Sequence, residues 1–253
     1  MKKSKSNDLE LKYMLSLLDY LAPLQIKFCN HFLKLHPKFK FDQVYLDRGK
    51  AYHDTKKYSL AIKDYSRALL IKPDAFIYEM RAAVYITLCQ YKKAVKDLNK
   101  AIQLRQKAGK RNLGVLLSKR ADCYVELKNY NLAIKDLKKA IRSSERKGSY
   151  YARIAELYSS SKEKEIRNGK KAVNYANKAI NSSNEFRKRH RLPKIDSPYL
   201  LNVLAAALAQ SGKFNEAIKI QQEAITLVKD EKEIAKYKHR LRLFQQRTPF
   251  IEK

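Results

Sequence analysis

The sequence predicts an all-α fold, a solenoid of about five stacked helix-turn-helix repeats with capping helices, and three observations carry that prediction. The first is a repeat. The block Tyr45-Leu46-Asp47-Arg48-Gly49-Lys50-Ala51-Tyr52, followed by Tyr58, Ala61, Tyr65, Ala68 and Pro73, recurs as Tyr78, Ala82, Tyr85, Tyr91, Ala94, Leu98 and Ala101. It returns as Leu117, Ala121, Tyr124, Tyr130, Ala133, Leu137 and Ala140, a period of 33 to 39 residues with two amphipathic segments in each. Such a period reads as stacked hairpins rather than one globular core. The second observation is the absence of strand-like alternation, together with only six Gly and six Pro in 253 residues. The third is the shortness of the turns Thr55-Lys56-Lys57, Cys89-Gln90 and Lys128-Asn129, which forces paired segments to run antiparallel.

Taken in order, repeat one spans about 42–74, repeat two about 75–107 and repeat three about 114–147. A fourth reads Tyr151, Ala155, Tyr158, then Ala172, Ala176 and Ala179, with roughly five residues inserted between its helices. A fifth reads Leu201, Ala205, Leu208, then Phe214, Ala217 and Ala224, with Gln221 in a slot where an aromatic is usual. Ala and Gly slots let helix axes approach, and Tyr and Leu fill the gaps between them. Gly49 costs about 1 kcal/mol in mid-helix, so it makes sense only where close approach repays that cost. On these residues the chain resembles the tetratricopeptide repeat family over about 42–228. The resemblance implies right-handed stacking of the hairpins, with the first helix of each lining a concave groove.

Punctuation agrees with this register. Asp74 and Ser197 read as N-caps, the latter followed by Pro198 at the first helical position. Asp230 with Glu233 reads as a capping box opening a last helix at about 231–246, whose Ile234, Tyr237, Leu241 and Phe244 cover the end of repeat five. Residues 8–36 read as two helical patterns around Pro23, one with Leu9, Leu11, Met14, Leu15, Leu17 and Leu18, the other with Leu24, Ile26, Phe28, Phe32, Leu33 and Leu35. They are expected to form either a degenerate capping hairpin or a divergent sixth repeat. The organisation expected is therefore a helical cap at 1–41, the repeat array at 42–229 and a C-terminal capping helix and tail at 230–253.

No uncharged apolar run is long enough to cross a membrane as a helix. The start, Met1-Lys2-Lys3-Ser4-Lys5, is like that of a signal peptide, but Asp8, Glu10, Lys12 and Asp19 interrupt the apolar run, and a cytoplasmic chain is expected. Cys29, Cys89 and Cys123 form no CxxC pair and read as reduced thiols. No HExxH, Gly-rich phosphate loop or GxSxG is present. His31 and His36 are poorly spaced as helical ligands. His53-Asp54 sits at a helix end, where capping or groove contact outweighs catalysis. A non-enzymatic protein with no cofactor and no metal is expected. Of the seventeen tyrosines, eleven occupy repeat core slots, so they read as packing rather than as stacking platforms for bases.

The formal net charge of +30 would attract nucleic acid, anionic membrane or acidic protein surfaces. Compositional bias accounts for it equally well. The family's groove slots narrow the choice. They hold Gln43, Leu46, Asp47, Lys50, His53 and Asp54 in repeat one, and Phe76, Glu79, Met80, Ala83, Ile86 and Thr87 in repeat two. Repeat three offers Val115, Ser118, Lys119, Asp122, Val125 and Glu126; repeat four offers Ser149, Ala152, Arg153, Glu156, Ser159 and Ser160; repeat five offers Tyr199, Asn202, Val203, Ala206, Ala209 and Gln210. Acids outnumber bases among them, opposite to the whole chain, so the groove suits a peptide with apolar and basic side chains rather than phosphate.

The expected function is a protein–protein interaction scaffold or adaptor. Its peptide groove is formed by Asp47, Lys50, Asp54, Phe76, Glu79, Met80, Ile86, Lys119, Asp122 and Glu126. Surplus positive charge lies on second helices and inserts, where Lys107, Lys110 and Arg111, and then Arg187, Lys188, Arg189 and Arg191, are possible anion-binding residues. They keep open a nucleic-acid- or ribosome-associated role on the convex face. A secreted bacterial effector or secretion chaperone is a further alternative. The carboxylate clamp of the family's co-chaperone members is not matched: its slots hold Leu46, Lys50, Met80, Val115 and Lys119, only two of them basic.

Overall fold

The computed structural model describes residues 21–38, 41–109, 112–193 and 197–251. The chain folds as two compact units, Met1–Arg111 and Asn112–Lys253. Every regular element among the described residues is helical. Unit one contains α1 (residues 21–35), α2 (Asp42–Asp54), α3 (Tyr58–Ile71), α4 (Ala75–Thr87) and α5 (Tyr91–Lys107). Unit two contains α6 (Gly114–Glu126), α7 (Tyr130–Arg142), α8 (Gly148–Ser160), α9 (Gly169–Arg189), α10 (Pro198–Gln210), α11 (Phe214–Leu227) and α12 (Glu231–Gln245). In unit one α2/α3 and α4/α5 are hairpins stacked through α3 and α4. In unit two α6/α7, α8/α9 and α10/α11 stack in the same way, and α12 closes on α11.

The small-residue slots are where the helices meet. Ala61, Ala68, Ala94, Ala101, Ala133, Ala140, Ala172, Ala217 and Ala224 are all 0% exposed. In repeats one to three a larger side chain, Tyr65, Leu98 or Leu137, fills the layer between the two alanines. Gly49 behaves as the sequence requires, since a Cβ there would lie 2.7 Å from the Tyr65 ring. The fourth layer is lined almost wholly by alanine, with Ala152, Ala155, Ala172, Ala176 and Ala179 packed against Leu200, Val203 and Ala207.

The turns of repeats one, two, three and five share one backbone design. The second residue after each first helix is left-handed: Lys56 (φ 58°), Cys89 (φ 54°), Lys128 (φ 59°) and Gly212 (φ 85°). Its N–H and the next one bond back into the helix, as in Lys56 N to His53 O (2.9 Å) and Lys57 N to Tyr52 O (2.7 Å). This is the Schellman arrangement, which satisfies carbonyls that the helix end would leave unpaired. Repeat four replaces it with a longer loop. Asn168 N reaches the same carbonyl slot, Tyr158 O, at 2.7 Å, so the inserted residues bulge out and the chain returns to the common geometry.

Caps fall where the sequence predicts. Asp74 accepts from Phe76 N and Ile77 N, Ser197 accepts from Leu200 N, and Pro198 opens α10. Asp230 Oδ1 accepts from Glu233 N at 2.9 Å. Residues 21 and 22 are already helical, so Pro23 lies inside α1 rather than between two helices; the leucine-rich stretch at 8–20 lies outside the described residues. No described helix is long and apolar enough to cross a membrane.

Candidate functional site

On the first-helix face of unit one, Asp47 accepts from Gln43 Nε2 (2.9 Å) and pairs with Lys50 (3.3 Å). Lys50 Nζ lies 5.4 Å from the centre of the Phe76 ring, and Phe76 remains 43% exposed. Glu79 takes Arg105 Nη2 at 2.8 Å, so its charge is offset from α5. Met80 is half-buried against the repeat core and Ile86 is half-buried; Leu46 is turned into that core. Asp54, the last residue of α2, is exposed and has no ion pair among the described residues.

Unit two carries a second face. Arg153 on α8 bridges Asp122 on α6 (2.7 Å) and Glu156 (3.0 Å). Burial alone would lower the Arg153 pKa, but the Glu156 and Asp122 charges raise it overall. Burial first, then the Glu156 carboxylate, pushes up the phenol of Tyr199 on α10. Lys119 is half-buried, whereas Glu126, the last residue of α6, is exposed and without an ion pair among the described residues. Several slots expected in the groove are instead buried: Ala152, Ser159, Ser160, Asn202, Val203, Ala206 and Ala209. The reason is packing, since α8 lies on α10, and α12 covers α10 and α11.

One recurrent feature is absent from the sequence-based expectations. Arg48 grips Asp64 through Nε (2.7 Å) and Nη2 (2.8 Å), sixteen residues apart in the chain. Arg81 grips Asp97 and Arg120 grips Asp136 at the same separation and with the same fork. Tyr rings flank these guanidiniums: Arg48 lies 5.8 Å from both Tyr45 and Tyr52, and Arg81 sits between Tyr78 and Tyr85. Much of the repeat tyrosine therefore packs against a cation. In repeats four and five the two slots change together, to Ile154 with Tyr175 and to Leu204 with Ile220. The signal was legible as Arg and Asp at constant spacing in three successive repeats.

The basic residues split. Lys107 lies in the last turn of α5, and Lys110 and Arg111 lie outside the described residues. Arg187, Lys188 and Arg189 belong to the last turn of α9 rather than to a loop. There Arg187 Nε donates to Pro193 O at 2.6 Å, while Arg191 takes a left-handed turn position (φ 52°). A cavity of about 330 Å³ lies beside them, lined by Arg146, Ser149, Ser182, Ser183, Phe186 and Arg187 among others. Cys29 and Cys123 are buried and Cys89 is exposed, all as free thiols.

Three tetratricopeptide repeat models match the chain, at residues 42–75, 73–146 and 199–229. Solved structures with the same fold include MamA, 21% identical over 64% of this chain and 89% of that one with a TM-score of 0.55. BtubC from P. vanneervenii is 16% identical, with 89% and 92% covered and a TM-score of 0.62. YrrB, described as a TPR protein with an unusual peptide-binding site, is 16% identical, with 83% and 97% covered and a TM-score of 0.55. No curated protein sequence matches. The stacked hairpins and their small-residue slots define a helical-repeat protein. The chain belongs to the tetratricopeptide repeat family, whose members generally serve as protein-interaction scaffolds.

Proposed function

We propose that this chain is a non-enzymatic scaffold that binds an extended peptide bearing basic and apolar side chains on its first-helix faces. The observation that carries this reading is the pair of exposed carboxylates Asp54 and Glu126. They occupy the same slot in two hairpins, one in each unit, and neither has an ion pair among the described residues. A carboxylate at a helix C-terminus faces the negative end of the helix dipole and weakens the helix by a few tenths of a kcal/mol. That cost fits a residue kept for a ligand. In unit one the exposed ring of Phe76, with Lys50 over it, supplies an apolar contact, and rigid stacking limits the ordering entropy lost on binding.

The experiment begins with a tagged pull-down from lysate at physiological salt, with and without nuclease. Protein partners that survive nuclease are mapped to a peptide, which is then titrated against Asp54→Lys, Phe76→Ala and Glu126→Lys separately. At least one variant is expected to weaken the peptide by about tenfold. Affinity unchanged in all three, with helicity intact by circular dichroism, overturns the reading. The rival nucleic-acid reading predicts loss of partners on nuclease treatment and an affinity falling log-linearly with salt.

A further inference from the structure

Helix α1 has two apolar faces, and among the described residues only one of them is covered. The inner face carries Ala22 and Cys29, both buried, and the half-buried Ile26 and Leu33. Asn30 Oδ1 accepts from Arg48 Nη1 at 2.7 Å, which ties α1 to α2 and sets which side faces out. The outer face carries Leu21, Leu24, Phe28 and Leu35 at helical spacing, all exposed, with Phe28 at 68% and Leu35 at 60%. Phe32 lies on the same stripe, 6.5 Å from Phe28 and 5.6 Å from the exposed Phe41. A helix that is apolar on both sides expects cover on both.

Charge says what that cover is. From Tyr20 to Phe41 the sequence contains Lys27, Lys34, Lys38 and Lys40 and no Asp or Glu. Lys27 and Lys34, seven residues and two helical turns apart, fall together on one flank of the outer stripe. Pairing α1 with a second copy would bring lysine-flanked ridges together with no carboxylate in the segment to offset them. Phe and Leu on one edge with Lys beside them match a helix lying in a bilayer interface. Anionic lipid headgroups supply the missing negative charge.

We propose that α1 is an interfacial anchor, which lays its Leu21–Leu24–Phe28–Leu35 stripe into the headgroup boundary of an anionic bilayer. It holds the repeat array at a membrane without crossing it. The anchor is independent of the peptide reading, since no first-helix groove residue takes part.

The test is co-sedimentation of the full chain with vesicles of phosphatidylcholine alone or with about a third phosphatidylserine, at physiological salt. The wild type is expected to sediment with the anionic vesicles. The double variant Leu24→Glu/Phe28→Glu changes exposed positions only, so circular dichroism should stay unchanged while partitioning falls by at least about tenfold. Lys27→Gln/Lys34→Gln/Lys38→Gln should lower binding and flatten its salt dependence. Absence of vesicle binding overturns the proposal. So does binding unchanged by Leu24→Glu/Phe28→Glu, which would assign it to the diffuse charge of the whole chain. A dimer seen by sedimentation velocity and lost in the same variant, without vesicle binding, would give the stripe to a second copy and also overturn it.

Discussion

Asp136 receives two hydrogen bonds from one guanidinium, Arg120 Nε at 2.6 Å and Nη2 at 2.8 Å. Burial alone would lower the Arg120 pKa, yet the Asp136 hydrogen bond and charge raise it overall. The two side chains are 14% and 5% exposed. Removing one partner leaves the other without its forked bond in a half-dry site, whereas removing both with apolar replacements need not.

The consequence is a sharp asymmetry between single and double variants. Asp136→Ala is expected to cost about 3 kcal/mol in urea unfolding. Arg120→Ile/Asp136→Tyr, which copies the slots that hold Ile154 and Tyr175 in repeat four, should cost clearly less than the two singles combined. A double-mutant cycle with no coupling would show the bridge to be inert.

Gly169 gives the steepest steric prediction. A Cβ there would lie 2.6 Å from Gln210 O and from Ser211 N and Cα, all backbone and unable to rotate away. Gly169→Ala should destabilise unit two by about 1–3 kcal/mol as an overpacked site. Gly109→Ala, in open space at φ 68°, should lose only about 1 kcal/mol, from left-handed strain. Thermal melts that rank the two the other way round would contradict the close approach of α9 to the end of α10.

Three of the shared turns place non-glycine residues in the left-handed region. Lys56→Gly and Lys128→Gly are each expected to stabilise by about 0.5 kcal/mol, as relief of left-handed strain outweighs the entropy that glycine loses on folding. A drop in the denaturation midpoint would mean that the lysine side chains contribute more than their backbone strain costs.

Cys123 supplies a pH test. Burial first, then the neighbouring Asp122, pushes its thiol up to about 11 from an ordinary value near 9.0. The unfolded thiol ionises first, so above pH 9 the unfolded chain binds fewer protons than the folded one. Stability should therefore fall as pH rises from about 9 to about 11, by at most about 3 kcal/mol from this group. Raised tyrosines add to the fall, so the difference between wild type and Cys123→Ala isolates it. Equal slopes in both would refute the buried thiol. In the native protein at neutral pH a thiol reagent should react with Cys89 well before Cys29 or Cys123.

The hairpins were legible because Ala and Gly slots recur at a fixed register and because Asp74, Ser197 and Asp230 are unambiguous caps. The Arg–Asp bridges are not evident from sequence because a charged residue on an amphipathic helix reads as solvent-facing until its partner on the next helix is known. In the sequence Gln221 reads only as an oddity in an aromatic slot. Its role needed the structure: Nε2 donates to Asn202 Oδ1 (3.1 Å) and Tyr237 O (3.2 Å), pinning α12 to the array. The narrowing of the first-helix face in repeats four and five was illegible for the same reason, since it depends on which helix lies across Asn202 and Ala206. The extension of α9 through Arg189 escaped because a run of like charges carries no apolar period.

The loop from Ser161 to Asn168 has a practical meaning for anyone wishing to build on this chain. Its far end is anchored by Asn168 N to Tyr158 O at the close of α8, while Lys162, Lys164 and Glu165 are exposed. This connection is longer than its counterparts in the other repeats, and the layers on either side still pack. It is therefore the natural port for grafting a tag, a fluorophore or a foreign domain, and the tight turns at Lys56, Cys89 and Lys128, whose every residue is committed to a bond, are the ones to leave closed.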